Sequence, residues 1–334
     1  MSPAARPHPA LDDRARALRR LDLDVRLRLE GLLHGDHTGL RPGPGSEPEE
    51  SRPYIPGQDD VRRMDWNVTA RSLQPHVRSP LAERELTGWV LVDASASMDF
   101  GTALAEKRDL AIAIVAAIGL LTARPGNRLG VRIAYGDRLE RIPARAGTAA
   151  IRHTVTTLLA LPRAAPGEHP VTDLAAALTR LRTEHPRPGL RVVVSDFLDG
   201  DQAGVEPGRP PMPPSDSPAW ELPLRRLSAA HEVIAVEVLD PRELTLPDVG
   251  LLALVDPETG RRHEVWTGRR RLRERYEAVA AAYRERNRQA FRRAGVDHLV
   301  LRTDRDWVRD VAAFAAARRH AGRRRTRRRA GGVR

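Results

Sequence analysis

A short apolar run followed at once by oxygen-bearing side chains is the feature that most constrains the fold of this chain. Residues 89–92 read Trp-Val-Leu-Val, and residues 93–97 read Asp-Ala-Ser-Ala-Ser. An uncharged run this short, rich in β-branched and aromatic residues, is typical of a buried strand in a parallel sheet. The carboxylate and the two hydroxyls then fall at the carboxyl end of the strand, where open α/β sheets bind their ligands.

Two further oxygen-bearing residues follow later in the chain. Thr172 precedes an apolar helical pattern at residues 173–178, and Asp196 ends a second β-rich run at residues 190–196. Carboxylate and hydroxyl oxygens, without Cys or His among them, suit Mg²⁺ or Mn²⁺ rather than zinc. The alternative is that the serines cap the next helix and the aspartates are turn residues at strand ends. We favour the metal site over that alternative.

The five residues resemble the metal-ion-dependent adhesion site of the von Willebrand factor A domain. The resemblance implies that the serines and the threonine approach the metal, while the aspartates act directly or through water. Carried over position by position, it predicts a site formed by Asp93, Ser95, Ser97, Thr172 and Asp196.

Such a site predicts ligand binding rather than catalysis. Mg²⁺ takes about six oxygen ligands and readily keeps waters. Because neutral hydroxyls leave much of its charge uncompensated, an open position attracts a carboxylate from another molecule. We therefore expect a non-enzymatic, protein-binding adaptor whose Mg²⁺ (or Mn²⁺) accepts an Asp or Glu of a partner. The competing interpretation is a Mg²⁺-dependent phosphohydrolase, for which the motif offers no obvious nucleophile.

A second motif lies upstream, at residues 52–71. It reads Arg-Pro-Tyr-Ile-Pro-Gly at residues 52–57, Asp-Asp-Val-Arg-Arg-Met-Asp-Trp at residues 59–66 and Ala-Arg at residues 70–71. Prolines, aromatics and alternating charges without a helical or strand period predict a shaped loop, held by Arg–Asp pairs and by packing of Tyr54 and Trp66. A structural or partner-binding role is assigned to Arg52, Tyr54, Pro56, Gly57, Asp60, Arg62, Asp65, Trp66 and Arg71.

This motif, with residues 93–101 and the Asp-Pro-Arg-Glu-Leu run at residues 240–244, resembles the family called domain of unknown function 58. Gln58 departs from the family pattern, in which the glycine leads straight into the acidic pair. The resemblance covers nearly the whole chain except its arginine-rich end. It implies a von Willebrand A-like core, frequent association with AAA+ ATPases of the MoxR type, and a role in assembling or activating other protein complexes.

Alternating strand and helix patterns over residues 86–305 predict an α/β fold, with a mostly parallel, von Willebrand A-like (Rossmann-like) sheet and helices on both faces. The patterns include a helix over residues 103–123 and a hairpin over residues 128–142 that turns at Gly136-Asp137. We expect three parts. Residues 1–84 carry a helix (residues 11–34) and the signature loop, residues 85–305 form the sheet domain, and residues 306–334 form a C-terminal helix with a disordered Arg-rich tail.

The formal net charge of +12 is concentrated at one end of the chain. Residues 318–334 contain nine arginines and no acid, which leaves +3 (12 minus 9) for residues 1–317. Such a block can bind the phosphates of nucleic acid or of an anionic membrane surface, although a solvated tail is the favoured interpretation. Lys107, the only lysine, lies outside any Gly-Lys-Ser/Thr context, so the chain is not a P-loop ATPase.

Several other features narrow the function further. The longest uncharged apolar stretch, residues 110–123, is shorter than the roughly 20 residues of a membrane span, and residues 1–20 lack an apolar core of signal-peptide length. We therefore expect no transmembrane segment and a cytoplasmic location. The absence of cysteine excludes disulfides and thiolate chemistry. His34 and His37 are interpreted as helix-end or surface residues, and the Pro/Gly-rich loop at residues 199–218 as an insertion.

Overall fold

The computed structural model describes residues 49–57, 59–80, 86–123, 126–163, 167, 172–198, 217–256 and 260–330, and at residues 49, 50, 52, 78–80 and 319–330 it describes the backbone alone. The described residues up to Pro80 belong to one compact unit and those from Leu86 onward to another. The helix expected at residues 11–34, both His34 and His37, and nearly all of the 199–218 loop lie outside the described residues.

The smaller unit contains the signature motif. Its strand β1 (Glu49–Pro53) pairs antiparallel with β2 (His76–Pro80). Between the two strands lie a 3₁₀ turn (Val61–Arg63) and the helix α1 (Trp66–Ser72). The motif therefore forms the connection of a two-stranded sheet rather than an isolated loop.

Acidic side chains stabilise this connection by accepting hydrogen bonds from backbone N–H groups. Asp60 accepts from the N–H of Arg62 at 2.9 Å and so begins the 3₁₀ turn. Asp65 caps α1 in the same way and also accepts a hydrogen bond from the hydroxyl of Ser51 at 2.7 Å. The predicted packing of Trp66 is wrong, because this side chain begins α1 and is 67% exposed.

The larger unit contains eight strands and seven helices within its described part. The strands are β3 (Thr87–Asp93), β4 (Arg128–Tyr135), β5 (Arg138–Arg145), β6 (Leu190–Ser195), β7 (Glu232–Leu239), β8 (Leu251–Val255), β9 (Arg262–Trp266) and β10 (Asp297–Arg302). The helices are α2 (Lys107–Thr122), α3 (Thr148–Ala160), α4 (Leu174–Glu184), α5 (Glu221–Ser228), α6 (Pro241–Leu244), α7 (Arg270–Ala294) and α8 (Trp307–Ala330).

Six of these strands form the central sheet, in the order β10-β7-β6-β3-β4-β5. Only β5, at one edge, runs antiparallel to its neighbour. The strands β3 and β6 lie at the centre and are apolar runs buried on both faces, as expected for interior strands of a parallel sheet. The remaining strands, β8 and β9, form a separate antiparallel hairpin that the sequence analysis did not predict.

Helices cover both faces of the sheet. Side chains alternate along each strand, so neighbouring residues of a strand contact helices on opposite faces. Trp89 and Leu91 of β3 share a core cluster with residues of α4, α5 and α7. Within this cluster Phe197, Trp220 and Phe291 pack ring against ring, with centroids 4.8–5.1 Å apart. On the opposite face Val92 adjoins residues of α2, and α2 packs on α3. The predicted α/β fold with a mostly parallel sheet is confirmed.

The helix α2 begins four residues later than the sequence indicated, at Lys107 instead of residue 103. Glu106 and Asp109 form a reciprocal capping box, which satisfies N–H groups of the first turn and fixes the start of the helix. The preceding residues form a tight loop in which a Cβ at Gly101 would lie 2.5 Å from the carbonyl oxygen of Ala105. Glycine is therefore required where this loop closes on itself.

The C-terminal helix α8 is longer than predicted. It continues to Ala330, through the arginine-rich run for which the sequence analysis favoured a disordered tail. Arginine is a good helix former and this run contains no proline, so the helix of residues 307–317 can propagate into it. Arg318 forms ion pairs with Glu232 and Asp297. No helix in the described part of the chain combines the length and apolarity that a bilayer crossing requires.

The amino-terminal edge of the sheet is basic. Arg191 is buried there and donates to the backbone carbonyls of Thr87 and His185. His185 stacks on Trp89 with ring centroids 3.6 Å apart. Burial, followed by the positive charges of neighbouring arginines, lowers the pKa of both His185 and His231 to about 4. Both imidazoles are therefore neutral at physiological pH.

The neutral state of His231 makes stability depend on pH. In the unfolded chain a histidine binds a proton near its ordinary pKa of 6.5, whereas folded His231 resists protonation until about pH 4. Stability should therefore fall as the pH drops from 6.5 towards 4. Replacing His231 by Leu should reduce the difference in unfolding free energy between pH 7 and pH 5 by about 1–2 kcal/mol, as measured by urea denaturation. The exposed His153, replaced by Gln, is the control. An equal effect of the two substitutions would contradict this account.

Candidate functional site

Three neighbouring strands of the central sheet end at one edge in a carboxylate. Asp93 is the last residue of β3, Asp196 follows β6, and Asp240 follows β7. Because these strands are parallel and adjacent, their carboxyl ends meet at the same edge. The three side chains are only 6%, 2% and 0% exposed. Buried carboxylates require hydrogen bonds or cations to compensate their charge. Asp196 pairs with an ammonium group, whereas Asp93 and Asp240 accept hydrogen bonds from uncharged donors, and Asp240 accepts more of them.

Asp93 is held by uncharged donors. Its Oδ1 accepts the backbone N–H of Ser95 at 2.9 Å, and its Oδ2 accepts the hydroxyl of Ser195 at 2.6 Å. The hydroxyls of Ser95 and Ser97 lie 3.0 Å apart, and both are buried. The structure thus brings three of the five predicted residues together, and it adds Ser195 of β6 to them.

The alternative interpretation, in which these residues only form a turn and a helix cap, explains part of the geometry. Asp93 and Asp196 each accept a backbone N–H two residues further on, as in an ordinary Asx turn. Ser95, however, precedes a 3₁₀ turn without capping it, because its hydroxyl forms no capping hydrogen bond and faces Ser97 instead. Helix capping therefore does not explain the two serines.

Thr172 lies just before α4 and is half-buried. Its hydroxyl oxygen accepts the backbone N–H of Gly136 at 3.0 Å, which ties this loop to the turn between β4 and β5. The described hydrogen bond of Thr172 therefore involves none of the other four predicted residues.

Asp196 is paired with a cation of the protein itself. The ammonium group of Lys107 lies 2.7 Å from Oδ2 of Asp196 and 2.5 Å from Oε1 of Glu243 on α6. Lys107 is completely buried. Burial alone would lower the pKa of Lys107, but the charges of Asp196 and Glu243 raise it above its ordinary value. Lys107 is therefore charged at neutral pH, and its ammonium competes with a metal ion for Asp196. The metal-binding role of Asp196 stays a prediction.

Asp240 is compensated by hydrogen bonds. Its carboxylate accepts the N–H and the hydroxyl of Thr102 at 2.8 and 2.6 Å, the hydroxyl of Thr303 at 2.7 Å and the N–H of Arg242 at 2.9 Å. Although burial would raise the pKa of Asp240, these hydrogen bonds hold it below its ordinary value. Asp240 thereby anchors the loop before α2, which contains Thr102, to the end of β7.

The electrostatics of Asp93 differ from those of its neighbours. Among the described residues no basic side chain lies within ion-pair distance of it. Burial, and then the negative charge of Asp196, raise the pKa of Asp93 to about 6, against the opposing hydrogen bonds of Ser195 and Ser95. At neutral pH the group is a buried anion without a counter-cation of its own, and this is the electrostatic situation that favours a bound cation.

These donors fit a divalent cation in part. In the described part of the chain no three His, Asp or Glu side chains are grouped closely enough to hold a metal ion by themselves. The oxygens grouped here are those of the Asp93 carboxylate and of the Ser95 and Ser97 hydroxyls, a set that suits Mg²⁺ or Mn²⁺ with several waters retained. Asp196 differs from this set, because the ammonium of Lys107 competes with a metal ion for its carboxylate.

Exposed apolar side chains follow the site residues in the chain. Phe100 and Leu104 lie in the loop anchored by Asp240, and they are 38% and 83% exposed. Leu198, two residues after Asp196, is 40% exposed. Apolar side chains beside a polar site are a common property of protein-binding surfaces.

Four residues of this edge were not predicted as site residues from the sequence, and they are Ser195, Lys107, Asp240 and Glu243. Two features of the sequence pointed to these segments. Lys107 is the only lysine among 56 basic residues, and the run at residues 240–244 belongs to the family motif. Neither feature shows that the two segments meet, since Lys107 and Glu243 are 136 positions apart.

The signature residues of the smaller unit are mostly exposed. Gly57 adopts a positive φ of 84°, which favours glycine at this turn. Asp60 and Asp65 act as caps, and the exposed Pro56, Arg62, Trp66 and Arg71 make no described contact that defines a function. Tyr54 is half-buried, and its N–H donates to the carbonyl of Pro75. The partner-binding role of this segment stays a prediction.

Removal of the Asp240 carboxylate should loosen the loop before α2. Asp240→Ala leaves Thr102 and Thr303 without their acceptor, so we expect a loss of about 2–3 kcal/mol in unfolding free energy and faster hydrogen exchange at the Thr102 amide. The control is Asp304→Ala, which removes a surface partner of Arg302 and should cost less than about 1 kcal/mol. Equal losses in urea denaturation would contradict the anchoring role of Asp240.

Two mycobacterial proteins are similar to this chain over most of their own lengths. The chain is 48% identical over 305 residues to the Mycobacterium tuberculosis protein named "Uncharacterized protein Rv1480", covering 91% of this chain and 90% of that protein. A Mycobacterium avium protein named "Uncharacterized protein MAV169" is 38% identical over 181 residues, which are 54% of this chain and 95% of the relative.

Similar solved structures are distant in sequence. They include the conserved hypothetical protein BatB from Bacteroides thetaiotaomicron, with 11% identity, a TM-score of 0.36, and coverage of 69% of this chain and 99% of that one. The SpRpn10 VWA domain has 10% identity, a TM-score of 0.32, and coverage of 68% and 93%.

The match at the level of families is extensive. Residues 50–286 match the family described as "Protein of unknown function DUF58". This range includes the signature motif, the Asp-Ser-Ser segment, Lys107 and the motif at residues 240–244. With a match over most of its length, the chain belongs to this family.

Proposed function

We propose that this chain is a protein-binding adaptor whose partner docks at the carboxyl edge of the central sheet through an acidic side chain and a divalent cation. The observation that carries the proposal is Asp93, a buried carboxylate beside two hydroxyls and without a basic partner among the described residues. The exposed apolar residues Phe100, Leu104 and Leu198 provide the rest of a docking surface.

In this proposal Asp93, Ser95 and Ser97 hold Mg²⁺ or Mn²⁺. The cation supplies attraction for an incoming carboxylate, since neutral hydroxyls leave part of its charge uncompensated. Ser195 and the N–H of Ser95 orient the carboxylate of Asp93. The role involves no turnover. The partner is an AAA+ ATPase of the MoxR type or its client, which is the association that the family resemblance implies.

Asp93→Asn should reduce partner binding at least tenfold and abolish its dependence on Mg²⁺. The amide keeps the shape of the side chain but removes the charge that attracts the cation. Because removal of a buried charge with a pKa raised to about 6 offsets the loss of one accepted hydrogen bond, the melting temperature should change little. Binding to a purified MoxR-type ATPase from the same genome can be measured with Mg²⁺ and with EDTA.

The matched control is Asp173→Asn, since Asp173 is an exposed carboxylate that caps α4 and Asn caps a helix equally well. It should leave binding and its Mg²⁺ dependence unchanged. Equal binding by wild type and Asp93→Asn, or undiminished binding in EDTA, would remove the metal from the proposal.

Leu104→Glu tests the apolar part of the surface. Leu104 is 83% exposed, so the change should leave stability within about 0.5 kcal/mol while weakening partner binding several-fold. Leu121→Glu is the control, because Leu121 is also exposed but lies about 21 Å from Lys107 along α2. Weakening by both substitutions alike would indicate a general charge effect and would argue against docking at this edge.

A further inference from the structure

Lys107 is unusual among the basic residues of this chain. It is the only lysine among 56 basic residues, and it is completely buried. A buried ammonium is costly unless it is paired and hydrogen-bonded, and here two carboxylates accept from it. Lysine presents a compact point charge, whereas arginine presents a wide planar group. In a chain that otherwise uses arginine, lysine at this position indicates that a small cation is required.

The ammonium joins three elements at the carboxyl edge. Lys107 is the first residue of α2, Asp196 follows β6, and Glu243 lies on α6 after β7. Glu243 is fixed in turn, because its Oε2 accepts the backbone N–H of Asp240 at 3.0 Å. The ammonium is thus held from two sides.

The position of Lys107 determines which carboxylates remain for a divalent cation. Oδ2 of Asp196 accepts from Lys107, and Oδ1 accepts from the N–H of Leu198. Asp196 is still close enough to Asp93 for its charge to raise the pKa of that group. Because the ammonium of Lys107 already pairs with Asp196, a cation at Asp93 would have one carboxylate ligand of the chain that lacks an ammonium partner.

We propose that Lys107 makes cation binding conditional on the partner: by occupying Asp196 it leaves Asp93 as the one carboxylate ligand at this edge, so the divalent cation is retained only when a partner's carboxylate supplies the second. This inference rests on the proposed function and specifies its order. Cation and partner bind together, and each raises the affinity of the protein for the other. The protein alone holds the cation weakly.

The test measures Mn²⁺ binding to the full-length protein without any partner, by isothermal titration and by electron paramagnetic resonance of free Mn²⁺. Because Lys107→Met alone would leave two buried carboxylates uncompensated, the main variant is Lys107→Met with Glu243→Gln, which frees Asp196 and neutralises Glu243. We expect this double variant to bind Mn²⁺ at least tenfold more tightly than wild type. Adding Asp196→Asn should remove the gain, and Lys107→Arg, which keeps the charge, should show none.

The outcomes separate the two proposals. If wild type binds Mn²⁺ as tightly as the folded double variant, and Asp93→Asn abolishes binding in both, the role of Lys107 is overturned while the metal site stands. If no variant binds Mn²⁺ at Asp93, both are overturned. The titration of the wild-type protein tests the role of Lys107 even if the double variant does not fold. If the wild-type protein without a partner is saturated at Mn²⁺ concentrations on the order of micromolar, cation binding is not conditional on the partner and the proposal is overturned.

Discussion

The carboxyl ends of three adjacent parallel strands place Asp93, Asp196 and Asp240 at one edge of the sheet, and the local structure there depends on how their charge is compensated. Backbone pairing fixes where the strands end, and the apolar contacts on both faces fix the sheet. The carboxylates are consequently held close together and away from water. Each one must find donors or a cation nearby, because an uncompensated buried charge destabilises the fold.

The three carboxylates differ in the partners that compensate their charge. Asp240 is satisfied by hydrogen bonds and serves to anchor the loop before α2. Asp196 is satisfied by Lys107, which also binds Glu243 and so connects α2 with α6. Asp93 accepts fewer described hydrogen bonds than Asp240 and has no counter-cation within the described residues, and its pKa is raised whereas that of Asp240 is lowered. In the proposed function, Asp93 is for this reason the position that takes up an external cation.

At the opposite, amino-terminal edge of the sheet, the buried groups that need compensation are basic instead of acidic. Buried Arg191 is satisfied by backbone carbonyls, while His185 and His231 stay neutral because burial and neighbouring arginines oppose their protonation. The two edges therefore respond differently to pH. Acidification protonates Asp93 and relieves a buried charge at the carboxyl edge, whereas it would introduce charges at the amino edge.

The sequence by itself determined the α/β class, the central strands, the family and the position of Asp93, Ser95 and Ser97, because these depend on local patterns of apolar and oxygen-bearing residues. Only the tertiary structure decided that Asp196 belongs to Lys107 and Glu243, and that Ser195 reaches Asp93. The reason is physical. A pattern along the chain indicates which side chains are buried, but the partner of a buried charge is chosen by which elements meet in space, and the elements that meet here are separated by 89 to 136 residues.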